Sequence, residues 1–222
     1  MSDNTVVEQK KSNAGRVNPF LAYTVIIAST VLIFFVGLLI GKAFFWENYD
    51  KRALNEKALE IALKKVQQDP KNPDNLVDLG WAYLQNGEYN RAVAEIKKAI
   101  NLDSQHFKAY FNLGLAYMQV EKWELAVDAF ERCIAIQPNA YAPYLNIGII
   151  YNQTGEYQKA IDKLKKAYEL NRGQVEIVYN LGLAYEKMGN IEEAIRQYDG
   201  ALTFTPDYKP ALEGLKRLRG GK

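Results

Sequence analysis

The six residues Asn112-Leu113-Gly114-Leu115-Ala116-Tyr117 occur again, letter for letter, as Asn180-Leu181-Gly182-Leu183-Ala184-Tyr185, 68 residues later, which is twice 34. Midway between them stands Asn146-Ile147-Gly148-Ile149-Ile150-Tyr151, and one step upstream is Asp78-Leu79-Gly80-Trp81-Ala82-Tyr83. Four registers at one fixed period identify an array of stacked units, because a unit of this size cannot bury its apolar face alone and must pack against its neighbours. With glycine as position eight, the units are 73–106, 107–140, 141–174 and 175–208, without an insertion.

Within each unit the pattern predicts a first helix to about position 14, a turn, and a second helix to about position 28. Gly87, Gly155 and Gly189 occupy position 15, where a left-handed residue ends a helix at little cost; the second unit departs with Glu121. Gly80, Gly114, Gly148 and Gly182 at position eight and Ala92, Ala126, Ala160 and Ala194 at position twenty predict close approach of the paired helices. The tyrosines at position eleven (Tyr83, Tyr117, Tyr151, Tyr185) and the large residues at position twenty-four (Ile96, Phe130, Leu164, Tyr198) fill the space between them. Cys133 shares position twenty-seven with Ala99, Ala167 and Ala201, so it reads as packing rather than chemistry. His106, in a turn between units with no second ligand near it, is expected to be a plain surface residue.

The spacing of Leu79-Gly80, Tyr83, Gly87-Glu88-Tyr89, Ala92, Ile96 and Ala99, repeated to Pro206, resembles the tetratricopeptide repeat over 73–208. Ser104 and Arg172 depart at the closing proline, and Leu76, Tyr110, Tyr144 and Val178 stand where the family has tryptophan. The resemblance implies an all-α superhelical solenoid of four helix-turn-helix repeats. It also implies a C-terminal capping helix at 209–222, in which Leu212 and Leu215 are apolar while Lys216, Arg217 and Arg219 face water.

By the same resemblance, the first helices line a concave groove through positions two, five, six, nine, twelve and thirteen. Position five gives Val77, Phe111, Leu145 and Tyr179, and position nine gives Trp81, Leu115, Ile149 and Leu183. Position six gives Asp78, Asn112, Asn146 and Asn180. An amide offers a donor and an acceptor to one peptide unit regardless of sequence, so the resemblance assigns the three asparagines a peptide-binding ladder. The alternative is that they merely bond to a neighbouring helix and are tolerated on a wet face. A carboxylate clamp, which needs Lys at position five and Asn at position nine, is absent from this pattern.

Upstream, residues 1–16 are polar and read as a disordered cytoplasmic tail. Residues 17–41 carry no charge, and 20–40 are almost wholly apolar; 21 residues at about 1.5 Å each span about 31 Å, the hydrocarbon thickness of a bilayer. A transmembrane helix with its aromatic flank is therefore expected over 17–46, in preference to a signal peptide, whose apolar core is shorter. Gly37 and Gly41 form a GxxxG through which two such helices could pair as a homodimer, or simply reflect the glycine content of membrane helices. Lysine and arginine counts on the two sides tie, and the repeats are placed outside the cytoplasm on the commoner arrangement of N-terminal anchors. Residues 47–72 read as an amphipathic linker or capping helix, with Leu54, Ala58 and Ile61 on one flank and Leu59, Ala62 and Val66 beside them, ended by Asp69-Pro70.

The formal charge of +2 creates no field for nucleic acid, and the single cysteine excludes an intrachain disulfide. No catalytic constellation, phosphate loop or metal cluster is present in the pattern, so no enzyme activity and no cofactor are expected. The sequence therefore points to a membrane-tethered scaffold or assembly factor that binds a partner's peptide or helix in the groove. The alternative is a structural subunit whose array self-associates or packs permanently into a membrane complex, and an enzyme's regulatory subunit stays open.

Overall fold

The computed structural model describes residues 47–220. The tail, the apolar run with residues 44–46, and the Gly37/Gly41 pair lie outside the described residues. Among the described residues no helix is long and apolar enough to cross a membrane. The chain divides into two compact units, 1–54 and 55–222.

The described chain is all-α. Its helices are α1 (Glu47–Gln68), α2 (Pro73–Gln85), α3 (Tyr89–Leu102), α4 (Phe107–Gln119), α5 (Trp123–Ile136), α6 (Tyr141–Thr154), α7 (Tyr157–Leu170), α8 (Val175–Lys187), α9 (Ile191–Phe204) and α10 (Lys209–Gly220). Each 34-residue unit holds one antiparallel pair, and each second helix packs on the first helix of the next unit. The turn within each pair contains one left-handed residue: Gly87 at φ 76°, Gly155 at φ 83°, Gly189 at φ 81° and, in the second unit, Glu121 at φ 56°. Glu121 therefore keeps the turn geometry that glycine supplies elsewhere.

Position eight works differently from the simple approach of two backbones. A Cβ on Gly114 would lie 2.7 Å from the Phe130 ring, one on Gly148 2.5 Å from Leu164 Cγ, and one on Gly182 2.7 Å from the Tyr198 ring. The glycine of each first helix thus makes a hole for the position-twenty-four side chain of its own second helix, and those side chains are fully buried. Tyr198 is filled in from both sides, because a Cβ on Gly214 of α10 would stand 2.6 Å from its ring.

At the N-terminal end, Leu59, Ala62 and Val66 of α1 pack on Leu79, Ala82 and Tyr83, while Ile61 stays in solvent. Asn55 Nδ2 donates to the Gln85 carbonyl at 3.0 Å, and Asn75 Nδ2 donates to that of Lys65 at 3.3 Å, fixing both ends of the contact. At the C-terminal end α10 buries Ala211, Gly214 and Leu215. Leu212, expected as an apolar contact, is 44% exposed. Arg217 and Arg219, expected only to face water, instead form ion pairs with Glu186 and Asp199.

Candidate functional site

The faces of α2, α4, α6 and α8 carry the residues expected in the groove, and the structure sorts them by depth. At position five, Val77 and Leu145 are buried in the core. Phe111 and Tyr179 are half-buried and held by rings: Phe111 meets Phe130 edge-on at 5.5 Å and stacks on Phe107 at 6.1 Å, while Tyr179 lies 5.8 Å from Tyr198 and 5.6 Å from Tyr208. Position five is a wall anchored in the core. Position nine is more open: Leu115, Ile149 and Leu183 are half-buried and Trp81 is 42% exposed.

At position six, Asn112 is 4% and Asn180 6% exposed, and Asn146 is half-buried. Asn146 Nδ2 donates to the Ala142 carbonyl at 2.9 Å, and Asn180 Nδ2 donates to that of Glu176 at 2.8 Å, each one turn back along its own helix. Both amides thus bond within their own helix rather than to a neighbouring one. Asn112 Nδ2 is buried with no partner, which costs about 1–3 kcal/mol. Asp78 bonds outward: its carboxylate accepts from Lys108 Nζ at 2.8 Å and Lys65 Nζ at 3.3 Å, joining α1, α2 and α4. Burial works to raise its pKa, but the two ammonium groups outweigh it and hold the carboxyl below its usual range.

Charge elsewhere is tied up in the same way. His106 caps α4, its Nδ1 accepting from the Ala109 amide, so the ring proton sits on Nε2, which reaches Asp74 Oδ1 at 3.1 Å. It is a largely buried bridge between two units rather than a plain surface residue. Glu186 accepts two bonds from Arg217, at 2.7 and 2.8 Å, and one from the Tyr198 hydroxyl at 2.6 Å. Arg217 first and Tyr198 after it hold the Glu186 carboxyl below the usual range against the opposing effect of burial. Burial pushes the Cys133 thiol up to about 12, and its Sγ rests on the Phe107 carbonyl, so it is an inert packing group. Lys163 pairs with Glu131 and lies over the Tyr144 ring at 5.8 Å. The described residues contain no group of acidic, histidine and cysteine side chains suited to a metal.

Two clefts meet at Trp81. One, of about 430 Å³, lies between α1 and α2 and is lined by Ala58, Ile61, Lys65, Asp78, Trp81 and Gln85 among others. The other, of about 270 Å³, lies between the C-terminal halves of α2 and α4 and is lined by Trp81, Leu84, Gln85, Tyr89, Leu115 and Gln119. A larger cleft of about 610 Å³ opens between α4 and α5 beside Asp128, Glu131 and Arg132. It is the weaker candidate, because its apolar floor is the packing seam within one unit and its rim is charged. The glutamines of position thirteen, Gln85, Gln119 and Gln153, stand at a phase expected to line the groove but are not among the expected site residues. All three are exposed, and their side-chain amides have no hydrogen-bond partner among the described residues. Their 34-residue spacing was the available signal.

Family models match the chain at three places: that of anaphase-promoting complex, cyclosome, subunit 3 over residues 51–133, a TPR repeat over 148–189, and a tetratricopeptide repeat over 175–208. No curated protein matches the chain. Among solved structures, the MamA protein is 30% identical over 71% of this chain and 86% of its own, with a TM-score of 0.62. MamA from Desulfovibrio magneticus RS-1 is 23% identical over 75% of this chain and 97% of its own, TM-score 0.64. YrrB, described as a TPR protein with an unusual peptide-binding site, shares the fold at 19% identity over 96% of this chain and 98% of its own, TM-score 0.63. With the period, the helix pairs and these matches in agreement, the chain belongs to the tetratricopeptide repeat family.

Proposed function

We propose that this protein is a membrane-tethered scaffold or assembly factor that holds a segment of a partner protein along the face formed by α2, α4, α6 and α8. The observation that carries the reading is Trp81: a large indole left 42% in solvent at the head of an otherwise half-buried apolar row, at the meeting point of two clefts. Tryptophan is enriched among the few residues that dominate binding energies at protein interfaces, where a partner desolvates it fully. YrrB, with the same fold, carries a peptide-binding site by its description. The tether is residues 20–40, whose length and apolarity suit a bilayer; anchoring raises the partner's effective concentration at the membrane. The repeats are placed on the extracytoplasmic side.

Affinity capture of the full chain from native membranes tests this. The wild type retains a partner, and Leu115→Ser with Ile149→Ser loses it while the helical melt shows the array still folded. Equal retention by both forms contradicts groove binding. A reporter fused after Lys222 that is active only in the cytoplasm contradicts the placement of the repeats.

A further inference from the structure

The cleft between the C-terminal halves of α2 and α4 contains two aromatic rings, two leucines and two glutamine amides, and no charged side chain lines it. Asp78, one turn before Trp81 on the same helix, is already paired with Lys65 and Lys108. Gln85 and Gln119 stand at the same phase of successive first helices with unpaired amides, and Gln153 continues the row. An occupant must therefore be uncharged, offer apolar rings or chains to Trp81 and Tyr89, and present free peptide groups at the interval of the two helices.

That interval discriminates between backbone conformations. α2 and α4 are in contact, and packed helices lie about 8–10 Å apart. A polyproline-II segment repeats one face every three residues, about 9.3 Å at 3.1 Å each, with its peptide groups unbonded internally. A β-strand repeats a face at about 6.8 Å and falls out of step. An α-helix spends its carbonyls and amides on its own ladder and leaves nothing for the glutamines. Proline also removes backbone donors, so the carbonyls of a proline-rich segment need donors from outside, which the glutamine NH2 groups supply.

We propose that this cleft binds a proline-rich, uncharged segment of the partner in the polyproline-II conformation. The rings of Trp81 and Tyr89 flank its prolines, as aromatic grooves that read such segments do. Gln85 and Gln119 pair with peptide groups one turn apart. The proposal rests on the reading that this face holds a partner's polypeptide and adds the conformation and composition of what is held.

The test titrates the full chain in detergent with blocked synthetic peptides about nine residues long, three polyproline turns. One has proline at every third position with alanine and leucine between, one is an alanine-leucine helix former, and one is a valine-threonine strand former. The expected result is saturable binding of the proline peptide alone. Trp81→Ala should weaken it about tenfold or more, and Gln85→Ala with Gln119→Ala about fivefold. Trp123→Phe, which lies in a different cleft, should leave it unchanged. Both variant sets alter exposed side chains, and a circular dichroism melt verifies folding. Binding of the helical or strand peptide that depends on Trp81 overturns the polyproline assignment while leaving groove binding intact. Absence of proline-peptide binding, or indifference to both variants, also overturns it. Failure of groove binding itself is read separately, from the membrane capture with Leu115→Ser and Ile149→Ser.

Discussion

Glu121 sits at φ 56°, where its three counterparts are glycine. A side chain in this region costs about 1–3 kcal/mol, partly offset because glycine loses about 0.5–1 kcal/mol more entropy on folding. Glu121→Gly is therefore expected to stabilise the array by about 0.5–1 kcal/mol, seen as a higher melting temperature by circular dichroism; a lower one would show that Glu121 makes a contact worth more than its strain. Gly182 is the opposite case. The Tyr198 ring it faces is pressed from the other side by Gly214 and held at its hydroxyl by Glu186, so the ring has nowhere to move. Gly182→Ala should destabilise by about 1–3 kcal/mol through overpacking, against the gain of about 1 kcal/mol that alanine brings to an open helix; chemical denaturation measures the balance.

Besides the apolar contacts of Ala211 and Leu215, one polar cluster fastens α10. Glu186 of α8 receives Arg217 of α10 and Tyr198 of α9, so a single carboxylate joins three helices. Hydrogen bonds to a charged partner contribute about 1.5–3 kcal/mol, and Glu186→Gln is expected to lower stability by a similar amount at neutral pH. The sign with pH follows from the carboxyl being held low in the folded state. Its contribution is complete above the unfolded carboxyl value of about 4.3 and is lost as pH falls through the lower folded value. The difference in melting temperature between wild type and Glu186→Gln should thus be constant from pH 7 to about 5 and shrink below about 4; a difference that grows on acidification would contradict the cluster's role.

Across the whole molecule the buried clusters overlap from one unit to the next, from α1 on α2 to α9 on α10, as a stack of neighbours requires. This much is legible from the period: it places the helix pairs, the turns and the small-residue phases, because identical phases must solve the same packing problem. What the period leaves open is how each phase is used. Position eight carries glycine to admit a ring such as Phe130, and two of three asparagines at position six bond inside their own helices. Position five divides between core and wall according to neighbouring rings, a matter of three-dimensional packing that one-dimensional spacing does not contain. Arg217 and His106 read as surface in the sequence because their partners, Glu186 and Asp74, lie about one repeat away in sequence and meet them only in the stack. The groove residues that remain free, Trp81 and the glutamines of position thirteen, are defined by what the fold leaves unpaired. The partner is expected on the face of the first helices rather than in the larger cleft beside Arg132. Site-specific photocrosslinking in native membranes tests it most directly, with p-benzoylphenylalanine placed at Leu115 in one form and at Arg132 in another. A protein adduct is expected from position 115 and none from position 132; an adduct from 132 alone would put the partner in the larger cleft and overturn groove binding.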